Sequence, residues 1–309
     1  TAPAAEASTA EVPVDGTPAA EAEPASEEAP ATPEEVGEKL RKMGAALTLR
    51  CVLGGILAAV LLHFGLVAEG LLAPLAALDP VVAPAAFYAA NLLFLAAAMA
   101  VAAPVLRDGL LGLKKDGRPS SDTMPALAAV AALLQAVVAM LNANAYRSTE
   151  GIGLLTGMAA LGLFLALVGS RVMLSAVRGG YELLGEATDL QGAYRTRDKD
   201  LIRALARDLE QKDPWVLLSR PVQTASNDFV EQSLSERASE RRARKVACIL
   251  LAAAVLSCVA FLLFGGGPNG MAAALTSMLC MGAPLSSTLV AGIASLRLQK
   301  TAAAAGAVV

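Results

Sequence analysis

The chain has 309 residues, of which 55% are hydrophobic and 17% are charged, and its mean hydropathy is +0.55. This composition excludes an ordinary soluble domain and indicates a multispanning membrane protein. The net charge of −3 is unevenly spread, because residues 1–35 carry nine acids and no lysine or arginine, while much of the positive charge lies beside apolar runs.

The first 35 residues form a tail rich in alanine, proline and glutamate. Its six prolines block a long helix, and it has no apolar side chain larger than valine with which to build a core. We therefore expect residues 1–35 to be disordered. Proline followed by two acids at Pro33-Glu34-Glu35 predicts the start of the first helix near this point.

Six apolar runs are each long enough to cross about 30 Å of hydrocarbon as a helix. They span approximately residues 46–67, 81–106, 124–145, 151–170, 246–265 and 271–295. Basic residues concentrate before the first run, between the second and third, after the fourth and after the sixth, whereas the other connections together hold one, Arg147. By the positive-inside rule, we expect both termini and the long fourth connection to be cytoplasmic.

These runs predict an all-α fold: a six-helix transmembrane bundle with a small, mostly helical cytoplasmic insert and a disordered N-terminal tail. The predicted parts are the tail at 1–35, four transmembrane helices at 36–180, the insert at 181–244, and two transmembrane helices with the start of a cytoplasmic extension at 245–309. Within the insert, apolar residues at helical spacing from Leu201 to Leu209 predict a helix, and Trp215 to Leu218 predict a short buried strand.

No catalytic residue can be assigned from a motif. The insert has no phosphate-binding glycine loop, zinc-protease motif or nucleophile elbow. Its arginine-rich stretch from Arg237 to Lys245 is most simply an anchor to anionic lipid, not a nucleic-acid site. The four cysteines lie in or beside apolar runs without Cys-x-x-Cys spacing, which is typical of buried small hydrophobic residues.

The polar residues inside the apolar runs are few. They are Asn91, Gln135, Thr156, Thr276 and Ser277. No acidic residue lies deep in any run to complete a cation site. We therefore interpret each of them as a group that forms interhelical hydrogen bonds rather than as a transport ligand.

The last run contains Pro284 close to its middle. Proline cannot donate an amide hydrogen to the carbonyl of Cys280 four residues earlier, so a spanning helix must kink or open there. Two interpretations follow: an ordinary proline kink, or an unwound segment of the kind that binds ions within membranes.

The connection from Leu106 to Thr123 predicts a short amphipathic helix on the cytoplasmic surface, because its leucines alternate with charged residues. Gly109 and Gly112 are expected to let the preceding span bend into this helix. Lys114 and Lys115 complete its charged end.

Three stretches resemble the membrane core of heavy-metal P-type ATPases, a family of cation-transporting pumps. Leu106 to Leu113, followed by Ser121-Asp122-Thr123-Met124, resembles the family's kinked second helix, its amphipathic platform and the start of the next span. Ala274-Leu275 through Gly282-Ala283-Pro284-Leu285 resembles the helix of the family's Cys-Pro-Cys ion site, and Leu296 to Val309 resembles the continuation toward the phosphorylated aspartate.

The resemblance implies that a complete, active pump would couple ATP hydrolysis, with Mg²⁺, to movement of a cation past Pro284. The implied ion-path candidates are Cys280, Pro284, Thr276, Ser277, Ser286 and Ser287, and the implied surface platform comprises Gly109, Gly112, Lys114 and Lys115. The identity of the metal is not indicated.

The chain also departs from the family pattern. Ala283 and Leu285 flank Pro284, so both of the family's thiolates are missing and only Cys280, one turn earlier, offers the sulfur that soft metals prefer. The Thr-Gly-Glu actuator loop and the Asp-Lys-Thr-Gly-Thr phosphorylation motif do not occur. An apolar end at Val309 and a first residue Thr1 fit a truncated reading frame.

Two hypotheses follow. The first is the membrane portion of a divergent P-type-ATPase-like protein in the plasma membrane, which is an ATPase only if phosphorylation and nucleotide domains follow Val309. The second is a non-catalytic membrane scaffold or sensor that binds partners through its insert. The expected partners are the lipid bilayer and, for a pump, a metal cation, but no nucleic acid. A secondary transporter predicts internal repeats, and none is convincing.

Overall fold

A computed structural model of the chain describes residues 33–75, 78–117, 119–141, 153–186, 191–195, 202, 217–221, 238–263, 268–283 and 288–305. The predicted tail lies outside these residues except for positions 33–35. Those three positions form the first turn of the first helix, so the start predicted at Pro33 is confirmed.

The described residues form eight helices and one pair of short strands. The helices are α1 (Pro33–Ala68), α2 (Pro84–Val101), α3 (Ala103–Asp116), α4 (Thr123–Leu141), α5 (Thr156–Glu186), α6 (Ala238–Leu263), α7 (Pro268–Gly282) and α8 (Thr288–Ala304). Strands β1 (Gln191–Arg195) and β2 (Leu217–Pro221) pair antiparallel, with Gln191 opposite Pro221. The sequence predicted a strand only as far as Leu218 and did not predict β1. The predicted helix from Leu201 to Leu209 lies largely outside the described residues.

Among the described residues, four helices are long and apolar enough to cross a membrane, judged by length and composition. They are Glu34–Ala68, Pro84–Val101, Thr123–Leu141 and Thr156–Leu183. The first four predicted runs are thereby confirmed as helices of this kind. The fifth run lies within α6, whereas the sixth is divided between α7 and α8, of 15 and 17 residues. The count of six spans therefore stays a prediction.

The second predicted run ends earlier than expected, because α2 stops at Val101 and α3 begins at Ala103. Pro104 lies in the first turn of α3 and has no amide hydrogen for the preceding turn, which accounts for the break. The amphipathic helix is present, but the predicted bend at Gly109 and Gly112 is wrong, since α3 runs unbroken through both glycines.

Helix α5 lies at the centre of the bundle, where it packs most extensively against α1 and α8, while α7 packs against α4 and α6. The apolar stretches of α1 and α5 end at the same level, because the guanidinium of Arg171 donates to the hydroxyl of Thr48 at 2.8 Å. Arg50 is the last charged residue before the apolar part of α1, and Glu69 is the next charged residue after it. We call the two ends of the bundle the Arg50 end and the Glu69 end.

Candidate functional site

Helix α7 lies beside the beginning of α5. The thiol of Cys280 donates to the backbone carbonyl of Leu155 at 3.8 Å, and Ala283 packs on Gly162, where an added Cβ would lie 2.7 Å from the Ala283 Cβ. The last turns of α7 thus follow α5 from the Glu69 end toward the middle of the bundle.

Helix α8 continues along the same side of α5. A Cβ at Gly169 would overlap the backbone of Leu289, and a Cβ at Gly292 would lie 2.5 Å from the Gly169 carbonyl oxygen. The two helices therefore touch backbone to backbone, which only glycine permits at these positions.

The interval between Ala283 and Thr288, called the break below, separates α7 from α8. Three of the predicted ion-path residues, Pro284, Ser286 and Ser287, fall in it and lie outside the described residues. On the side away from α5, a Cβ at Gly282 would lie 2.8 Å from the methyl of Met124 in α4 and 3.1 Å from Leu250 in α6. The α7 edge of the break is therefore enclosed by α4, α5 and α6.

A chain of polar groups crosses the bundle beside Cys280. Gln135 in α4 donates to the carbonyl of Gly153 at 2.9 Å and accepts from the amide of Leu155 at 3.3 Å. The Leu155 carbonyl in turn accepts from Cys280. The chain therefore joins α4, the segment that precedes α5, and α7. Gln135 is a hydrogen-bonding group as predicted, but these two partners are backbone groups just before α5 and not groups of a second helix.

Two other buried polar side chains behave differently. The hydroxyl of Thr156 and both amide atoms of Asn91 are fully buried and have no hydrogen-bond partner among the described residues. Within this part of the chain, the predicted interhelical hydrogen bonds of Asn91 and Thr156 are wrong. Thr156 directly follows Leu155, so its hydroxyl adds an unused oxygen near the polar chain.

The remaining ion-path candidates on α7 are Thr276 and Ser277. Thr276 is buried and lies four residues before Cys280, so the two side chains share one face of the helix, whereas Ser277 is half-buried. The structure thus brings Thr276 and Cys280 to the side of α7 that faces the bundle.

A second polar cluster lies at the Arg50 end. Thr123 donates to the Gly109 carbonyl at 3.1 Å and accepts from the amide of Ser120 at 2.8 Å. Thr288 at the start of α8 donates to the carboxylate of Asp122. The turn before α4 is therefore tied both to α3 and to the α8 side of the break.

The predicted platform residues have separate roles. A Cβ at Gly109 would lie 2.5 Å from the Asp122 carbonyl oxygen, so α3 packs on the turn before α4 only because this residue is glycine. A Cβ at Gly112 would fit without a clash, because its nearest neighbour, the Ser120 side chain, would lie 4.0 Å away. Lys114 is exposed, and Lys115 lies in the same helix.

Next to this cluster is a cavity of about 610 Å³ between α1, α3, the turn before α4, α5 and α8. Three charged residues, Arg50, Asp108 and Asp122, line it together with hydroxyl groups and an apolar wall. No set of three or more histidine, cysteine, aspartate or glutamate side chains is positioned to hold a metal within the described ranges.

Sequence reasoning did not find two of these participants. The Leu155 carbonyl is a backbone group that no motif marks, and Thr288 was not singled out although it is the first hydroxyl residue of α8. The sequence feature that could have indicated Thr288 is its position shortly after Pro284 in the sixth apolar run.

Taken together, the described residues form a mainly helical fold with four helices capable of spanning a membrane by length and composition, packed around a central helix and a buried polar chain. The chain matches no protein family, no curated protein and no solved structure.

Proposed function

We propose that the chain is the membrane core of a P-type-ATPase-like cation transporter and that the ion passes through the break between α7 and α8. The supporting observation is that α7 ends at Gly282 and α8 begins at Thr288, that both helices contact α5, and that the Cys280 thiol lies on the α7 face that meets Leu155. The resemblance of residues 274–285 to the ion-site helix of the pump family is the second support.

The physical argument starts at the end of α7. The last carbonyls of a helix lack amide partners within it and form the negative end of its dipole, so they attract a cation. Pro284 cannot donate to the Cys280 carbonyl, which removes one further partner. Interrupted helices supply ion sites in transporters for this reason.

Polar groups along α7 and beside the beginning of α5 would set the preference for the ion. Cys280 offers a sulfur, while the Thr276 and Thr156 hydroxyls and the Leu155 carbonyl offer oxygen. A single sulfur among oxygens favours an ion of intermediate softness, such as Zn²⁺, over Cu⁺, which prefers several sulfur ligands. ATP and Mg²⁺ would serve the complete pump, and the chain would lie in the plasma membrane with both termini cytoplasmic.

A second candidate is a non-catalytic membrane scaffold or sensor. It is favoured by the close packing at the α7 edge of the break, where Ala283 meets Gly162, and Gly282 meets Met124 and Leu250. Helices packed this tightly keep one arrangement and leave little room for an ion to move.

Equilibrium cation binding separates the two candidates. The purified chain in detergent is dialysed against Zn²⁺, Mn²⁺, K⁺ and, under reducing conditions, Cu⁺. We expect one saturable site, a loss of at least about tenfold in affinity for Cys280→Ala, since a sulfur ligand is removed, and a similar loss for Pro284→Ala. Cys258→Ala is the matched control, because Cys258 is a free, half-buried cysteine in α6.

Absence of saturable binding for all four ions would overturn the transporter proposal and favour the scaffold. Binding that Cys280→Ala and Pro284→Ala leave unchanged would place the ion away from the break.

A further inference from the structure

With α1 spanning a membrane, the residue sequence of this helix places the cavity at the Arg50 end at the level where the membrane meets water. Arg50 borders it, and the eighteen residues from Cys51 to Ala68 that follow contain no aspartate, glutamate, lysine or arginine. At 1.5 Å per residue they extend about 27 Å, which matches the hydrocarbon thickness of a bilayer. The bond between Arg171 and Thr48 sets the boundary of α5 at the same height. Phospholipid head groups occupy this level.

Two opposite charges line the cavity without neutralising each other. Neither the Arg50 guanidinium nor the exposed Asp108 carboxylate makes a hydrogen bond or an ion pair with any group in the described part of the chain. A ligand that carries both a negative and a positive group would satisfy both residues, whereas a simple anion or cation would satisfy one.

Hydroxyl and carboxylate groups continue the acidic side of the cavity. Asp122 accepts from Thr288 there, and the Ser121 hydroxyl lies 3.5 Å from the Thr288 hydroxyl. These acceptors suit an ammonium group that has several N–H donors to place. A positively charged donor for the phosphate is supplied by Arg50.

The rest of the lining is apolar. Leu47, Val105, Leu167, Leu174 and Ala291 form an apolar wall beside the charged groups. A free phosphate ester has nothing to place against this wall, but the glycerol and first acyl carbons of a lipid do.

We propose that this cavity binds the head group of phosphatidylethanolamine, with the phosphate on Arg50 and the primary ammonium on Asp108 and Asp122. Phosphatidylcholine offers the same two charges, but its quaternary ammonium has no N–H to donate. Phosphatidylglycerol offers the phosphate without a cation. The proposal does not rest on the ion path, because the residues that it uses are not those of the break.

The test measures lipid binding to the purified full chain in detergent by native mass spectrometry. Dioctanoyl phosphatidylethanolamine, phosphatidylcholine and phosphatidylglycerol are titrated separately, and soluble phosphoethanolamine is added as a competitor. We expect one saturable phosphatidylethanolamine site, with phosphatidylcholine and phosphatidylglycerol each about tenfold weaker, the effect of one lost charge-assisted bond.

Arg50→Gln and Asp108→Asn are each expected to weaken the binding of phosphatidylethanolamine about tenfold. Asp108→Asn should leave the affinity for phosphatidylglycerol unchanged. Arg50→Lys, which keeps the charge, should retain most of the affinity and shows that loss in Arg50→Gln is not misfolding. Arg41→Gln and Glu34→Gln are the controls, because both residues are exposed on α1 and neither lines the cavity.

Equal affinity for the three lipids, or binding that both cavity variants leave unchanged, would overturn the proposal. Sensitivity to Arg50→Gln alone would show a plain phosphate site, and sensitivity to Asp108→Asn alone would show a cation site; either result rejects the zwitterionic ligand. Competition by phosphoethanolamine at the lipid's own affinity would reject a lipid as the source.

Discussion

Two threonines that are equally buried differ in what their hydroxyls bond. Thr123 is fully buried and bridges the Gly109 carbonyl and the Ser120 amide, whereas Thr156 is fully buried with no hydroxyl partner among the described residues. Valine has nearly the same shape as threonine without the polar atom. We expect Thr123→Val to lower the free energy of unfolding by about 2 kcal/mol and Thr156→Val to raise it by about 1 kcal/mol.

Thermal unfolding of both variants in the same detergent measures these effects, each variant serving as the control for the other. A shift of the same sign in both would contradict the assigned hydrogen bonds. If Thr156 also faces the ion, Thr156→Val gains stability and loses cation affinity together.

At the same scale, sequence alone ranks Asn91, Gln135 and Thr156 as equivalent, since each is one polar residue in an apolar run. Only the packing of distant segments distinguishes them, because Gln135 meets the backbone at Gly153 and Leu155 and the other two meet no partner in the described ranges. The spacing of Thr276 and Cys280, by contrast, predicts a shared helix face from local geometry, and both are buried.

Helix α3 offers two glycines with different surroundings. A Cβ at Gly109 meets the Asp122 backbone at 2.5 Å, and a Cβ at Gly112 meets nothing closer than 4.0 Å. We expect Gly109→Ala to lower the free energy of unfolding by about 1–3 kcal/mol through overpacking. Gly112→Ala should leave it unchanged or raise it by up to about 1 kcal/mol, because alanine favours helix. Chemical denaturation followed by circular dichroism compares them, and equal effects would show that α3 does not rest on this turn.

The contact between α5 and α8 depends on Gly169 and Gly292, whose backbones touch. We expect Gly169→Val to separate the two helices, lower the unfolding temperature and weaken cation binding at the break at least about tenfold, since the α8 side of the break is displaced. Gly44→Ala is the control, because its Cβ would meet Leu174 of the same α5 at an ordinary 3.8 Å. Full cation affinity in Gly169→Val, at a reduced unfolding temperature, would remove α8 from the ion site.

The helices could be predicted from the sequence where a pattern within the helix itself marks them. Apolar length identified the first four helices, and the alternation of leucine with charge identified α3. The position of the bend was predicted wrongly from Gly109 and Gly112. Pro104 marks it, because the missing amide of proline breaks a helix more strongly than the flexibility of glycine does. The sequence predicted either a kink or an opened segment at Pro284, which lies outside the described residues, but not that the sixth run would be divided into one helix ending at Gly282 and another beginning at Thr288.

At the scale of the whole molecule, the contacts along α5 predict the number of crossings. Helix α5 runs from the Glu69 end toward the Arg50 end, and α7 and α8 follow it in the same direction, since Cys280 lies at Leu155 and a Cβ at Gly179 would lie 3.0 Å from Gln299. Helices α7 and α8 together therefore extend along the same length as a spanning helix. We therefore expect α6 to make the return across the membrane, which predicts six crossings.

Single cysteines placed in a chain without its own four cysteines test this arrangement with a membrane-impermeant maleimide. In intact cells we expect Glu69→Cys and Leu263→Cys to react, because both residues are exposed and the positive-inside rule places their connections outside. Arg107→Cys, Lys245→Cys and Lys300→Cys should react only after permeabilisation, and all five sites should react in detergent, which controls for access. Reaction of Leu263→Cys only after permeabilisation would leave four crossings. Reaction of Glu69→Cys and Arg107→Cys from the same side would contradict a spanning α2, because that helix lies between them.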